Sequence, residues 1–164
     1  MRECCNRIIT AIDTNLLTNT QNVEQLTFYG KMKGDFYRYL AEFETRQKRQ
    51  LAAESALYAY EQAQKIAEGS EGKPGLQWTN PVRLGLALNM AVFEFEILGS
   101  PEEACDVARE AFEGAISELA NVREEDYKDV SMIIQLIRDN LSLWASAAVE
   151  EEAEYERNYD EKDG

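Results

Sequence analysis

The stretch Tyr127-Lys-Asp-Val-Ser-Met-Ile-Ile-Gln-Leu-Ile-Arg-Asp-Asn-Leu-Ser-Leu-Trp-Ala-Ser146 decides how this chain is built. Its apolar residues recur at steps of three and four, the period of a helix with a buried face. One stripe runs through Ile133, Ile137, Leu141, Trp144 and Ala148. A second, about one residue round, runs through Met132, Leu136, Asn140 and Leu143, and Gln135, Arg138, Asp139, Ser142 and Ser146 fill the polar sector. Two stripes exceed what one core contact needs. Either the helix is buried between two layers or one stripe lines a groove, and periodicity leaves both open. Asn140 is the odd member, because an amide in an apolar stripe must find hydrogen-bond partners or face water.

Working outward, residues 80–98 repeat the arrangement. Asn80 is placed to cap a helix whose first position is Pro81, where the missing N–H costs nothing. Leu84, Leu88, Ala91, Phe95 and Leu98 form a core stripe, and Val82, Gly85, Asn89, Val92 and Glu96 share the adjacent face. Two helices thus each set one amide among aliphatic residues. A side-chain amide both donates and accepts, so Asn89 and Asn140 together would suit an extended peptide held by its backbone. The plainer alternative is that each satisfies a neighbouring helix end.

Residues 24–45 carry an apolar stripe of Tyr29, Met32, Phe36, Leu40 and Phe43, expected to be the core face of another helix. A polar stripe of Lys31, Asp35, Arg38 and Glu42 runs beside it, with Tyr39 next to Arg38. Alternating charges at this spacing describe a solvated face. They also describe an anion site in which Arg38 gives a bidentate fork, Lys31 a point charge and Tyr39 a hydroxyl, with Asp35 and Glu42 holding the cations.

Prolines and glycines gather between periodic segments, at Gly69 to Gly75 and at Gly99 to Pro101, where Ser100 and Pro101 predict a tight helix-to-helix hairpin. The chain therefore reads as all-α with about six helices, over 1–18, 24–45, 48–68, 80–98, 101–119 and 127–149. Its 164 residues are enough for one domain, placed at 1–149. Residues 150–164 are expected to be an acidic, disordered tail, since Glu150 to Asp163 hold eight acidic residues against two basic ones and no apolar stripe.

The formal charge is −14, and −8 of it stays on 1–149, which argues against nucleic acid and anionic membranes as partners. Histidine is absent, which removes imidazole bases, Ser-His and Cys-His pairs and His-ligated metal. No glycine-rich phosphate loop, GxSxG, HExxH or EF-hand spacing occurs, so the expectation is a protein that is not an enzyme and holds no metal or cofactor. Cys4, Cys5 and Cys105 have neither disulfide-framework nor zinc spacing. With no apolar stretch of membrane length and no signal-like N-terminus, the expected location is cytoplasmic.

Three runs resemble the 14-3-3 family of phosphoserine/phosphothreonine-binding adaptors: Tyr29 to Glu42, Asn80 to Leu98 and, most specifically, Tyr127 to Ser146. The resemblance covers about residues 2–147 and implies an antiparallel helical array, related to tetratricopeptide superhelices, whose groove holds a phosphorylated client peptide. By matching position, Arg38 and Tyr39 grip the phosphate with Lys31 nearby, and Asn89 and Asn140 bond the peptide backbone. Glu96 and Trp144 support the polar side, and Leu88, Val92, Met132, Ile133, Leu136 and Leu143 form the apolar wall.

The resemblance begins partway through the family's fourth helix. It therefore implies that the family's dimer interface is largely missing from these residues, together with a Lys and an Arg of the phosphate pocket, and that phosphopeptide binding is weakened. The loop from Gly69 to Thr79 is longer than the family's usual one. The alternative function is a phosphate-independent, tetratricopeptide-like scaffold, for which Gly85, Ala104, Ala108 and Phe112 offer small-residue packing, although no 34-residue repeat is evident.

Overall fold

The computed structural model describes residues 1–163; for 151, 152 and 154–163 it describes the backbone alone. Six α-helices follow one another: α1 (Arg2–Ala11), α2 (Val23–Phe43), α3 (Arg46–Glu68), α4 (Pro81–Phe93), α5 (Pro101–Glu118) and α6 (Glu124–Asp163). Wider π turns extend α1 over Ile12–Leu16 and α4 over Glu94–Leu98. A two-residue hairpin, β1 (Gly69–Ser70) with β2 (Lys73–Pro74), joins α3 to α4. The architecture is an antiparallel all-α array, as the sequence predicts. The tail expected to be disordered falls on the end of α6, where the side chains lie outside the described residues, as does residue 164 altogether.

Starts and stops follow local chemistry. The Asn22 side chain accepts from the Gln25 N–H at 3.0 Å to open α2, and Asn80 accepts from Val82 N–H at 2.9 Å to open α4. Gly99, at φ 67°, takes the left-handed conformation that ends the π turn after α4, and Ser100 stands at the N-cap of α5 without a side-chain capping bond.

Two cores share α4. Leu86, Met90 and Phe93 pack with Cys5 and Ile9 of α1, Leu40 and Ala41 of α2 and the alanine face of α3. Leu84 and Ala91 pack with Ala104, Ala108, Ala111 and Ala115 of α5 and with Val130, Ile134, Ile137 and Trp144 of α6. Small buried residues on α3 and α5 let their neighbours lie close.

The face of α2 that is most buried differs from the expected one. Thr27, Gly30, Gly34, Asp35, Leu40 and Ala41 are buried, whereas Phe43 is exposed and Tyr29, Met32 and Phe36 are half-buried. The reason is close approach to α3. A Cβ added at Gly30 would lie 2.9 Å from the Ala63 Cβ, and one added at Gly34 would lie 2.5 Å from the Tyr60 ring. The glycine side of α2 turns inward, and that places the polar stripe at the margin of the core rather than in free solvent.

Candidate functional site

Asp35 is the centre of the polar stripe, 7% exposed. Its Oδ2 accepts from Lys31 Nζ at 2.9 Å, one helical turn earlier. Its Oδ1 accepts from the Tyr60 hydroxyl at 2.6 Å and from Asn89 Nδ2 at 2.8 Å. Three helices, α2, α3 and α4, therefore meet on one carboxylate. Burying that charge is tolerable because it is paired and fully hydrogen-bonded.

The Asn89 amide is given a direction by this contact. A carboxylate only accepts, so the amide nitrogen belongs to Asp35 and the side-chain oxygen is left to accept from something else. Gly85, one turn earlier on α4, faces Lys31: a Cβ there would meet Lys31 Cε at 3.5 Å, an ordinary contact.

Arg38 is held from three sides. Its Nε lies 3.4 Å from the Tyr60 hydroxyl, one terminal nitrogen lies 3.2 Å from Glu42 Oε1, and its guanidinium carbon sits 4.9 Å from the centre of the Tyr39 ring. Tyr39 in turn meets Phe36 edge-on at 5.6 Å. Burial alone lowers the basicity of Arg38, but the Tyr60 hydroxyl and the nearby Asp35 charge outweigh it and hold the guanidinium above its ordinary range. Burial, and then the Asp35 charge, push the Tyr60 phenol far above its usual value, so the hydroxyl keeps its proton.

The structure gathers Lys31, Arg38 and Asn89 around Asp35, sets Tyr39 against Arg38, and joins to them a residue the sequence reading passed over. Tyr60 is fully buried. Its one sequence signal is that it is the bulky, polar-tipped member of an otherwise alanine face, among Ala52, Ala53, Ala56, Ala59, Ala63 and Ala67.

On α6 the two stripes separate. Ile137 and Trp144 are buried and Ile133 and Leu141 half-buried in the second core, and Trp144 stacks on Phe95 at 5.7 Å between centroids. Met132, Leu136 and Leu143 stand out at 57%, 47% and 62% exposure. Asn140 lies half-buried between them, its Nδ2 donating to the Leu136 carbonyl of its own helix at 3.0 Å. No hydrogen bond joins Asn140 to the Asp35 cluster among the described residues. Leu88 and Val92 of α4 are half-buried against the second core, and Glu96 is exposed on the π turn. Trp144, expected to support the polar side, is 2% exposed and lies in the second core.

The long connection after α3 belongs to a different place. The Arg83 guanidinium lies 3.7 Å over the Trp78 ring and donates to the Leu76 carbonyl at 2.6 Å. Trp78 covers Gly114 of α5, where a Cβ would collide with the indole. This loop is therefore clamped against α4 and α5, apart from the Asp35 cluster. No helix among the described residues is long and apolar enough to cross a membrane.

Comparison with known proteins gives the family. The family model described as 14-3-3 protein matches residues 1–145. The chain is 49% identical over 161 residues to the 14-3-3-like protein GF14 epsilon of Arabidopsis thaliana, covering 98% of this chain and 61% of that protein. It is 49% identical over 154 residues to the 14-3-3-like protein B of Hordeum vulgare, covering 94% and 57%. It is 51% identical over 146 residues to the 14-3-3 protein 2 of Solanum lycopersicum, covering 89% and 56%. The chain thus spans about three-fifths of the length of these curated relatives. With a family match across nearly all of its helical array, the chain belongs to the 14-3-3 family.

Proposed function

We propose that the chain is a phosphoserine/phosphothreonine peptide-binding adaptor that acts by holding its ligand, without catalysis. Arg38, Lys31 and the Tyr39 hydroxyl take the phosphate; the Asn89 oxygen accepts a peptide N–H, and Asn140 takes a second backbone group. Leu88, Val92, Met132, Ile133, Leu136 and Leu143 form the apolar wall, backed by Trp144, with Glu96 at its polar edge. The single observation that carries this reading is the half-buried Arg38, tethered by Tyr60, Glu42 and the Tyr39 ring. A guanidinium fixed in orientation before a ligand arrives loses little freedom when it pairs bidentately with phosphate.

Hydrogen bonds to charged groups contribute about 1.5–3 kcal/mol each, so a phosphate site lacking two of the cations implied by the family resemblance binds roughly two to four decades more weakly. The same resemblance places the family's dimer contacts on helices outside these residues, so the 164-residue chain self-associates weakly. A tight symmetric dimer in sedimentation velocity counts against that. The proposed location is the cytoplasm.

Fluorescence anisotropy with one peptide, with and without phosphate, tests the function. The phosphorylated form binds more tightly than the other, and Arg38→Ala removes the difference. Equal binding of both forms supports instead the phosphate-independent scaffold, the reading favoured by the exposed Met132, Leu136 and Leu143.

A further inference from the structure

We propose that Tyr60 is the positioning residue of the phosphate-binding surface: its buried hydroxyl stands between Asp35 and Arg38 and keeps the two opposite charges from pairing with each other. The inference rests on the phosphopeptide reading and deepens it.

The hydroxyl gives its proton to Asp35 Oδ1 at 2.6 Å and offers its lone pair to Arg38 Nε at 3.4 Å. The remaining donors on Asp35 come from Lys31 and Asn89, so Tyr60 completes a carboxylate that would otherwise be short of one partner. Arg38 is the nearby cation that makes no direct bond to Asp35, although it lies close enough to feel its charge. In a site screened from water, an incompletely paired carboxylate draws in such a cation strongly. An Arg38 drawn onto Asp35 has spent its fork before phosphate arrives.

Tyr60 is suited to the task because it cannot move. Its ring is fully buried, lies against the bare backbone of Gly34 and packs on Phe93 with centroids 5.5 Å apart. A hydroxyl on a ring so confined has one position, and Arg38 inherits it. Lys31 and Asn89 depend on the same carboxylate, so three groups on two helices are set by one buried phenol.

The test uses the 164-residue chain with a phosphoserine peptide and its unphosphorylated twin, read by fluorescence anisotropy. Tyr60→Phe keeps the ring and its packing; the expected result is about a tenfold loss of phosphopeptide affinity, which is about 1.4 kcal/mol, with the unphosphorylated peptide unaffected. Adding Asp35→Asn to Tyr60→Phe removes the charge that captures Arg38. The double variant is expected to bind phosphopeptide more tightly than Tyr60→Phe alone. A purely structural role predicts the opposite, since a second lost group compounds the first.

Should the single variant fail to fold, the double variant, which buries no unpaired carboxylate, decides alone: discrimination for phosphate within about threefold of the parent supports the spacer, and its loss overturns it. Tyr60→Phe binding indistinguishable from the parent, or falling equally for both peptides, also overturns it. Arg38→Ala separates the two levels. If that variant binds phosphopeptide like the parent, or if the parent binds neither peptide, the phosphopeptide reading fails and the inference with it. If Arg38→Ala abolishes binding while Tyr60→Phe changes nothing, the inference alone fails.

Discussion

Where α2 meets α4, the side chains proposed for the phosphate and the peptide backbone are tied down: Lys31 to Asp35, Arg38 to Glu42 and Tyr60, and Asn89 of α4 to Asp35. Along α6, Met132, Leu136 and Leu143 stand exposed, and Asn140 bonds the Leu136 carbonyl of its own helix. The first surface is held in place by its own hydrogen bonds, as the proposed phosphate site requires. The second can repack, because aliphatic side chains on an exposed stripe pay little for a change of rotamer. A fixed polar surface beside an adaptable apolar one is the combination that the proposed phosphopeptide reading calls for.

The comparison breaks most visibly at its foundation. Gly34→Ala forces a methyl group into the Tyr60 ring. The expected cost is about 1–3 kcal/mol or more of stability, read as a lower urea midpoint, and phosphopeptide binding falls with it. A stable, fully binding variant would show that α2 and α3 can move apart and that the fixed surface is not fixed.

Arg38→Ala is expected to leave the fold intact and to lower phosphopeptide affinity by about 1.5–3 kcal/mol, with no change for the unphosphorylated peptide. Leu143→Ala on the opposite surface should behave differently: affinity for both peptides falls together, and stability changes by less than about 0.5 kcal/mol because the residue is exposed. Phosphate dependence in the effect of Leu143→Ala would erase the distinction between the two surfaces.

The smallest effect concerns Glu94, in the π turn after α4. Burial, and then the charges of Glu103 and Glu61, raise its carboxyl above the ordinary value. The folded state therefore holds this proton more tightly than the unfolded chain, so the group opposes folding in full above its folded value, and the cost fades as pH falls from there to the unfolded value. Glu94→Gln is expected to raise the thermal midpoint at pH 7, with the gain shrinking as the pH is lowered through the raised value. A gain independent of pH would assign the effect to packing instead.

How much of this could be read in the sequence depends on which force set each feature. The helices and the Asn80 cap were legible because they follow from period and local hydrogen bonding within a few residues. The split of α6 into a buried and an exposed stripe was visible as two stripes, but which one faced inward depended on α5, whose alanines Ala104, Ala108, Ala111 and Ala115 carry a weak periodic signal. The inward face of α2 was misread because hydrophobicity was followed, whereas Gly30 and Gly34 are buried by close approach to Ala63 and Tyr60. Tyr60 was missed because its meaning lies in Asp35, 25 residues earlier, and no local pattern joins them. The sequence named Arg38, Lys31 and Asn89 and assigned Asp35 to the holding of the cations, but it passed over the phenol that bonds Asp35.

The sharing of α4 between the two cores has a consequence for how the molecule comes apart. Peeling α5 and α6 away would uncover Leu84 and Ala91, and peeling α1 to α3 away would uncover Leu86, Met90 and Phe93, so neither half can leave without stripping one side of the same helix. The array should therefore open as one cooperative unit rather than in two steps. In native-state hydrogen exchange, the slowest amides are expected between Leu84 and Phe93, released only by global unfolding, with those of α1 exchanging well before them.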